Sequence, residues 1–248
     1  MKLSRNPLKT LYATWLALCI SVFFLLLYPI IYYALSNPRR YPLGHKLRRV
    51  WGLLLFGATG IRVKQETELE LDPSKPYIIT PNHTSQLDIV TLSVKLRLDF
   101  SFMAKIELAR IPLFGIWFRT IDIGVDRRNV RKAAEAYKKA QRFIDSGRSL
   151  IMFPEGTISN KVPTLVPFKD GPFRLAIETQ VDILPVTIIG NWILLPDQGV
   201  FEGRPGTAFQ YIHAPISTKG LTLADTDMLK KKVFDIIQSK LREYGYSA

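Results

Sequence analysis

Six consecutive residues, His83-Thr84-Ser85-Gln86-Leu87-Asp88, carry an imidazole and a carboxylate five positions apart. They follow Asn82 and a strand-like run, Tyr77–Thr80. An imidazole steered by a carboxylate can draw a proton from a hydroxyl near neutral pH. On one continuous helix, residues five apart point away from each other. The pair can meet only if His83 sits in a turn before a helix and Asp88 in that helix's first turn. Ser85-Gln86-Leu87-Asp88 is also a capping-box pattern, in which Asp88 merely closes a helix start. The residues alone leave both readings open. A covalent route through Ser85 is weaker, because no glycine-flanked elbow surrounds it.

A second segment, Phe153-Pro154-Glu155-Gly156-Thr157, follows the strand-like Ser149–Phe153. Glu155 could accept hydroxyl hydrogen bonds, Gly156 permits close backbone approach, and Thr157 offers a hydroxyl. In isolation the five residues read as an ordinary turn. Gly124-Val125-Asp126-Arg127-Arg128 ends another strand candidate, where the planar fork of Arg127 could clamp a phosphate. Met103-Ala104-Lys105 ends a third, and Pro167-Phe168-Lys169 opens a helix. Lys105 and Lys169 could serve the same anion, although any single surface cation is usually just solvated. What the groups share is position: most fall at the ends of strand candidates, where ligands of open α/β sheets bind.

The elements that must hold them alternate. Strands are expected at Ile61–Gln65, Tyr77–Thr80, Phe100–Met103, Ile121–Val125, Ser149–Phe153, Ile183–Ile189 and Ala208–His213. Helices are expected at Gln86–Arg97, Val130–Ser146, Phe173–Thr179 and Asp227–Tyr244. The second has an apolar stripe of Ala133, Ala136, Tyr137, Ala140, Phe143 and Ile144, ended by Gly147. The expected fold class is α/β, a central mostly parallel or mixed sheet flanked by helices. Gln65–Lys75 reads as a linker and Ser159–Val166 as a loop.

An amino-terminal hydrophobic segment precedes this. Leu11–Ser36 carries no charge, and about 26 residues at ~1.5 Å rise would cross a ~30 Å hydrocarbon core. No small-residue cleavage site follows, which argues against a removed signal. Pro29 lies inside the run, and the next apolar stretch, Val50–Ile61, is too short to span. Residues 1–60 are therefore expected to form membrane-associated helices, either a span or a kinked pair in one leaflet, and 61–248 the α/β domain. Arg39, Arg40, Lys46, Arg48 and Arg49 outnumber Lys2, Arg5 and Lys9. That asymmetry favours the domain on the cytoplasmic face of the membrane.

Of 248 residues, 34 are basic and 21 acidic, a net charge of +13 that implies an anionic partner. Much of the excess flanks the hydrophobic segment or lies in the last helix with Lys230, Lys231 and Lys232. No nucleic-acid module accompanies it, so membrane lipid or a phosphorylated substrate is expected and nucleic acid is not. A single cysteine, Cys19, excludes an internal disulfide framework. Three scattered histidines, His45, His83 and His213, give no zinc-ligand cluster.

Asn82–Asp88, Val125-Asp126-Arg127, Phe153–Thr157 and Ile183-Leu184-Pro185-Val186-Thr187 stand in the order of the four blocks of the glycerolipid acyltransferases. The chain most resembles the bacterial 1-acylglycerol-3-phosphate acyltransferases. That resemblance implies transfer of an acyl chain from a thioester donor, acyl carrier protein or coenzyme A, to the free hydroxyl of a lysophospholipid, without metal or organic cofactor. It casts His83 as general base and Asp88 as its orienting partner. Lys105 and Arg127 would bind the acceptor phosphate, and Glu155, Gly156 and Thr157 would shape the acceptor site. One residue departs from the pattern: Ile158 stands where the family usually has arginine. Another acceptor, such as glycerol 3-phosphate or a different lysolipid, therefore stays open. A non-catalytic membrane lipid-binding protein is the alternative of another class.

Overall fold

The structure, a computed structural model, describes residues 7–126, 128–159, 161–197 and 202–246. The chain opens with α1 (Pro7–Leu35), which runs through Pro29 without a break. A short turn leads to α2 (Tyr41–Thr59), ended by Gly60 in the left-handed conformation, φ 69°. This second helix starts nine residues before the apolar stretch expected at Val50. Lys46 and Arg49 hide its periodicity, yet Gly44, Leu47, Arg48, Trp51, Leu55 and Thr59 share one buried face. The two helices pack side by side. Tyr12 Oη donates to the Thr59 carbonyl at 2.9 Å, Trp15 Nε1 to Ala58 at 3.0 Å, and Trp51 Nε1 to Ile20 at 3.3 Å. Gly44 allows the approach, since a Cβ there would lie 2.6 Å from Leu35 Cδ2.

Seven strands follow: β1 (Ile61–Thr67), β2 (Ile78–Pro81), β3 (Phe100–Lys105), β4 (Ile123–Val125), β5 (Ser149–Met152), β6 (Ile183–Ile189) and β7 (Gly206–Ile212). They form one sheet in the order β1-β7-β6-β2-β5-β3-β4. The run from β6 to β4 is parallel throughout. β7 runs antiparallel to β6 and carries β1 parallel to itself. The sheet is thus mixed and mostly parallel, as the alternation of elements implied. β2 and β6 are buried along their whole length, which explains their unbroken apolar runs.

The helices cover both faces. On one, α5 (Val130–Asp145), α6 (Gly171–Thr179) and α8 (Thr226–Glu243) pack Ala140, Phe173 and Val233 onto Ile78, Ile123 and Leu150. On the other, α3 (Leu87–Lys95) lies against Ile79, Phe102 and Ile151. The α1–α2 pair continues that layer together with Trp117 and Phe118 of the four-residue α4 (Ile116–Arg119).

The element boundaries differ from expectation in instructive places. The fourth strand begins at Ile123, not Ile121, because Asp122 turns inward. Its Oδ2 meets Arg48 Nη2 at 2.8 Å and its Oδ1 accepts the Phe102 amide at 2.9 Å. This buried pair ties α2 to β3. The first strand continues to Thr67, taking up the start of the stretch read as linker. The first helix of the α/β domain begins at Leu87, one residue after the expected Gln86, and ends at Lys95, before Arg97.

Candidate active site

The carboxyl ends of β2, β3 and β5 converge on one cleft. Asn82, directly after β2, is fully buried, and its amide grips β6. Asn82 Oδ1 accepts the Ile188 amide at 2.7 Å and Nδ2 donates to the Ile188 carbonyl at 3.0 Å. The chain then turns, so His83 lies before α3 and Asp88 in its first turn. His83 Nδ1 and Asp88 Oδ2 are 2.9 Å apart. The hydrogen bond assigns the proton to Nδ1 and leaves the lone pair on Nε2. Among the described residues no protein group engages Nε2. Phe153 stacks on the ring, with centroids 3.9 Å apart and planes 20° from parallel.

Asp88 satisfies both readings its spacing allowed. Besides His83, its Oδ2 accepts the amides of Thr84 at 2.6 Å and Ser85 at 3.0 Å, so it closes the helix start. Its Oδ1 accepts Thr84 Oγ1 at 3.2 Å and Asn191 Nδ2 at 2.7 Å. These donors offset the cost of burying a carboxylate completely. The buried Ser85 hydroxyl is committed to the backbone: it donates to the Leu195 carbonyl at 2.7 Å and accepts the Leu87 amide at 3.2 Å.

The cleft encloses about 200 Å³ and is lined by His83, Met103, Lys105, Phe153, Gly156, Thr157 and Ile158, among others. Lys105 and Thr157 are exposed there. Gly156, at φ 74°, adopts the left-handed conformation the turn after β5 requires. The apolar Ile158 faces the same space. Gln86 Nε2 reaches Asp197 Oδ1 at 3.2 Å, and both line the cleft.

Glu155 lies beneath the cleft, 4 % exposed, and not in its lining. Its Oε1 accepts the His83 amide at 2.8 Å and its Oε2 the Val166 amide at 3.2 Å. Burial pushes its carboxyl up to about 7, against the pull of these two donors. Lys169 is exposed but outside the lining; its amide donates to the Pro154 carbonyl at 2.8 Å. Arg127 falls outside the described residues. His83, Asp88, Lys105, Gly156 and Thr157 therefore come together, while Glu155 supports the cleft from below and Lys169 stands apart. Phe153 was read only as the first residue of its segment, and Asn191 escaped the sequence reading. Asn191 was findable: Gly190-Asn191 follows β6, and every neighbouring parallel strand ends at the site.

A mostly parallel α/β sheet with a histidine–carboxylate pair at its carboxyl edge is the setting in which the relatives become informative. A family model described as Acyltransferase matches residues 60–189, and the chain belongs to that family. Among its relatives is the 1-acyl-sn-glycerol-3-phosphate acyltransferase of Saccharomyces cerevisiae, 35 % identical over 193 residues, covering 76 % of this chain and 62 % of that protein. The protein of the same name from Borreliella burgdorferi is 30 % identical over 183 residues, 73 % of this chain and 72 % of that one. The crystal structure of PlsC, the 1-acyl-sn-glycerophosphate (LPA) acyltransferase of Thermotoga maritima, superposes with a TM-score of 0.78 at 27 % identity, covering 98 % of both chains. The chain spans less than two thirds of the yeast relative's length.

Proposed function

We propose that this chain transfers a fatty acyl group from a thioester, carried by acyl carrier protein or coenzyme A, to the free hydroxyl of 1-acylglycerol-3-phosphate, giving phosphatidic acid. The observation that carries the reading is the His83 ring, fixed by Asp88 on Nδ1 and open to the cleft on Nε2. The acceptor hydroxyl gives its proton to Nε2 as its oxygen attacks the thioester carbonyl carbon. Asp88 stabilises the resulting imidazolium. The C–S bond then breaks, and the leaving sulfur takes the proton back from His83. General-base catalysis of this kind contributes roughly 10²- to 10⁴-fold. Lys105 and Arg127 hold the acceptor phosphate, while Gly156 and Thr157 shape the acceptor site. Glu155 holds the His83 backbone in place. The relatives' names support this acceptor, whereas Ile158 in the cleft favours a second reading in which another lysolipid or glycerol 3-phosphate takes its place.

The α1–α2 pair lies in the cytoplasmic leaflet of the membrane. α1 meets the rest of the chain near its start and near its middle. Lys9 pairs with Glu202 at 3.6 Å, and Phe24 packs on Phe114 at 5.6 Å and Trp51 at 6.0 Å. A helix held to α2 and to the domain at these points is better placed along the membrane surface than across the bilayer. Leu11, Trp15, Leu18, Leu25, Leu26 and Ile30 face outward, an apolar row suited to lipid tails.

Acyl transfer by detergent-solubilised protein tests the proposal, with each thioester donor and with lysophosphatidic acid, glycerol 3-phosphate and monoacylglycerol as acceptors. Transfer to lysophosphatidic acid, lost in His83→Ala, is the expected result. Transfer to another acceptor alone keeps the chemistry and replaces the substrate. No transfer with either donor leaves the non-catalytic lipid-binding reading.

A further inference from the structure

Asn191 lies outside all four sequence blocks, yet it reaches the centre of the site. It follows Gly190 at the end of β6 and opens the four-residue α7 (Asn191–Leu194). Its side chain is fully buried. Nδ2 donates to Asp88 Oδ1 at 2.7 Å and to Thr91 Oγ1 at 3.1 Å. Asp88 has two oxygens to orient, and His83 uses one. Thr84 Oγ1, at 3.2 Å, is the other side-chain donor on Oδ1, and it is the longer contact. Rotation of the carboxylate about its Cβ–Cγ bond would carry Oδ2 away from the imidazole. A short amide hydrogen bond on Oδ1 opposes that rotation.

The local backbone serves the same end. Gly190 has φ 86°, a conformation that side-chain-bearing residues rarely adopt, and a Cβ there would lie 3.2 Å from the Thr207 carbonyl. This turn carries the chain from the buried strand straight to the carboxylate. Asn191 Oδ1 is buried without a protein partner among the described residues. An unpaired buried acceptor costs stability. Reversing the amide would set Oδ1 against the Asp88 carboxylate, so the cost is accepted where Nδ2 has a place to go.

We propose that Asn191 is a positioning residue of the reaction, acting through Asp88 to hold the His83 ring toward the acceptor hydroxyl. The proposal rests on the acyl-transfer reading, and its test separates the two. Asn191→Leu keeps the volume and removes the donor. Asn191→Asp keeps the shape and places a second carboxylate against the first. Both are assayed for kcat and for KM of donor and acceptor, with thermal unfolding recorded alongside. The expected result is a fall in kcat of about 10- to 100-fold with both KM values within about twofold of wild type. In an Asp88→Asn background, Asn191→Leu should add less than about a threefold loss, because the path through Asp88 is already cut.

A second readout needs no turnover. The imidazole nitrogen signals of His83 in an NMR spectrum, assigned by their loss in His83→Ala, should move in Asn191→Leu and in Asn191→Asp. Unmoved His83 signals with an unchanged kcat would overturn the proposal, as would fully additive losses with Asp88→Asn. If wild type transfers no acyl group, the functional reading fails, while the His83 signals still decide whether Asn191 orients the pair.

Discussion

Among the described residues, two histidine–carboxylate pairs are shorter than His45–Asp99 at 3.6 Å, and of these two only one lines the cleft. His83 Nδ1 meets Asp88 at 2.9 Å, and His213 Nδ1 meets Glu68 at 3.0 Å. Both rings lie beside an aromatic neighbour, Phe153 in the first case and Tyr211 in the second. The difference is at the other nitrogen. His83 Nε2 opens to the cleft, whereas His213 Nε2 is engaged by the fully buried Thr187 hydroxyl at 2.8 Å. Thr187, His213 and Glu68 line up like a hydroxyl–imidazole–carboxylate relay, but no substrate can reach the hydroxyl. The pair itself confers no chemistry; a vacant nitrogen beside a space does. His213 instead ties β6, β7 and the end of β1 together.

The largest expected contrast lies in the carboxylates. Asp88→Asn replaces an acceptor of five hydrogen bonds with a group that also donates, so acyl transfer should fall roughly 10²- to 10⁴-fold. Glu68→Gln should leave kcat unchanged and cost about 1–3 kcal/mol of stability in urea unfolding. Loss of activity in Glu68→Gln would erase the distinction between the two pairs.

Next comes Glu155. Gln at that position cannot accept both the His83 and Val166 amides without turning an N–H toward one of them. The kcat should fall about tenfold with the acceptor KM unchanged. A raised KM with kcat intact would instead place Glu155 on the substrate, as its sequence position first suggested.

The two regions should also answer pH in opposite directions. Burial lowers the His213 pKa below its ordinary 6.5, so the unfolded state takes up the proton first. Its contribution is complete above about pH 6.5 and fades as the pH falls. Glu155, raised from 4.5 to about 7, behaves in reverse. Its contribution is complete below about pH 4.5 and is lost as the pH rises through about 7, on the order of 3 kcal/mol in all. Denaturation midpoints of wild type, His213→Gln and Glu155→Gln between about pH 5 and 8 measure both. The first variant should remove the acid-side loss and the second the alkaline-side loss. Equal slopes in all three proteins would refute both assignments.

The smallest effect expected is that of Phe153→Leu. The stacked ring steadies His83 by about 0.5–1.5 kcal/mol, so kcat should drop only a few-fold. A loss as large as that of Asp88→Asn would make the ring contact, and not the carboxylate, the main orienting force.

Much of this was legible in the residues. Branched apolar runs reveal the strands, because a sheet covered on both faces needs them, and the His83–Asp88 spacing demands the turn that the structure contains. Side-chain direction was not legible. Glu155 and Thr157 lie two residues apart after one strand, yet the first is buried outside the cleft lining and the second lines the cleft, and no pattern over five residues distinguishes them. Lys169 shared the sign of Lys105 but not its strand. Asn191 lies 103 residues from Asp88, and only the pairing of β6 with β2 brings it there. The α2 helix hid behind its own charges, one of which, Arg48, is buried against Asp122.

The most direct measurement is the rate of acyl transfer from an acyl thioester to lysophosphatidic acid by His83→Ala and His213→Ala, side by side with wild type. The account predicts that the first is inactive and that the second, wherever it remains folded, keeps the wild-type kcat. Activity surviving in His83→Ala, or vanishing in folded His213→Ala, would contradict it.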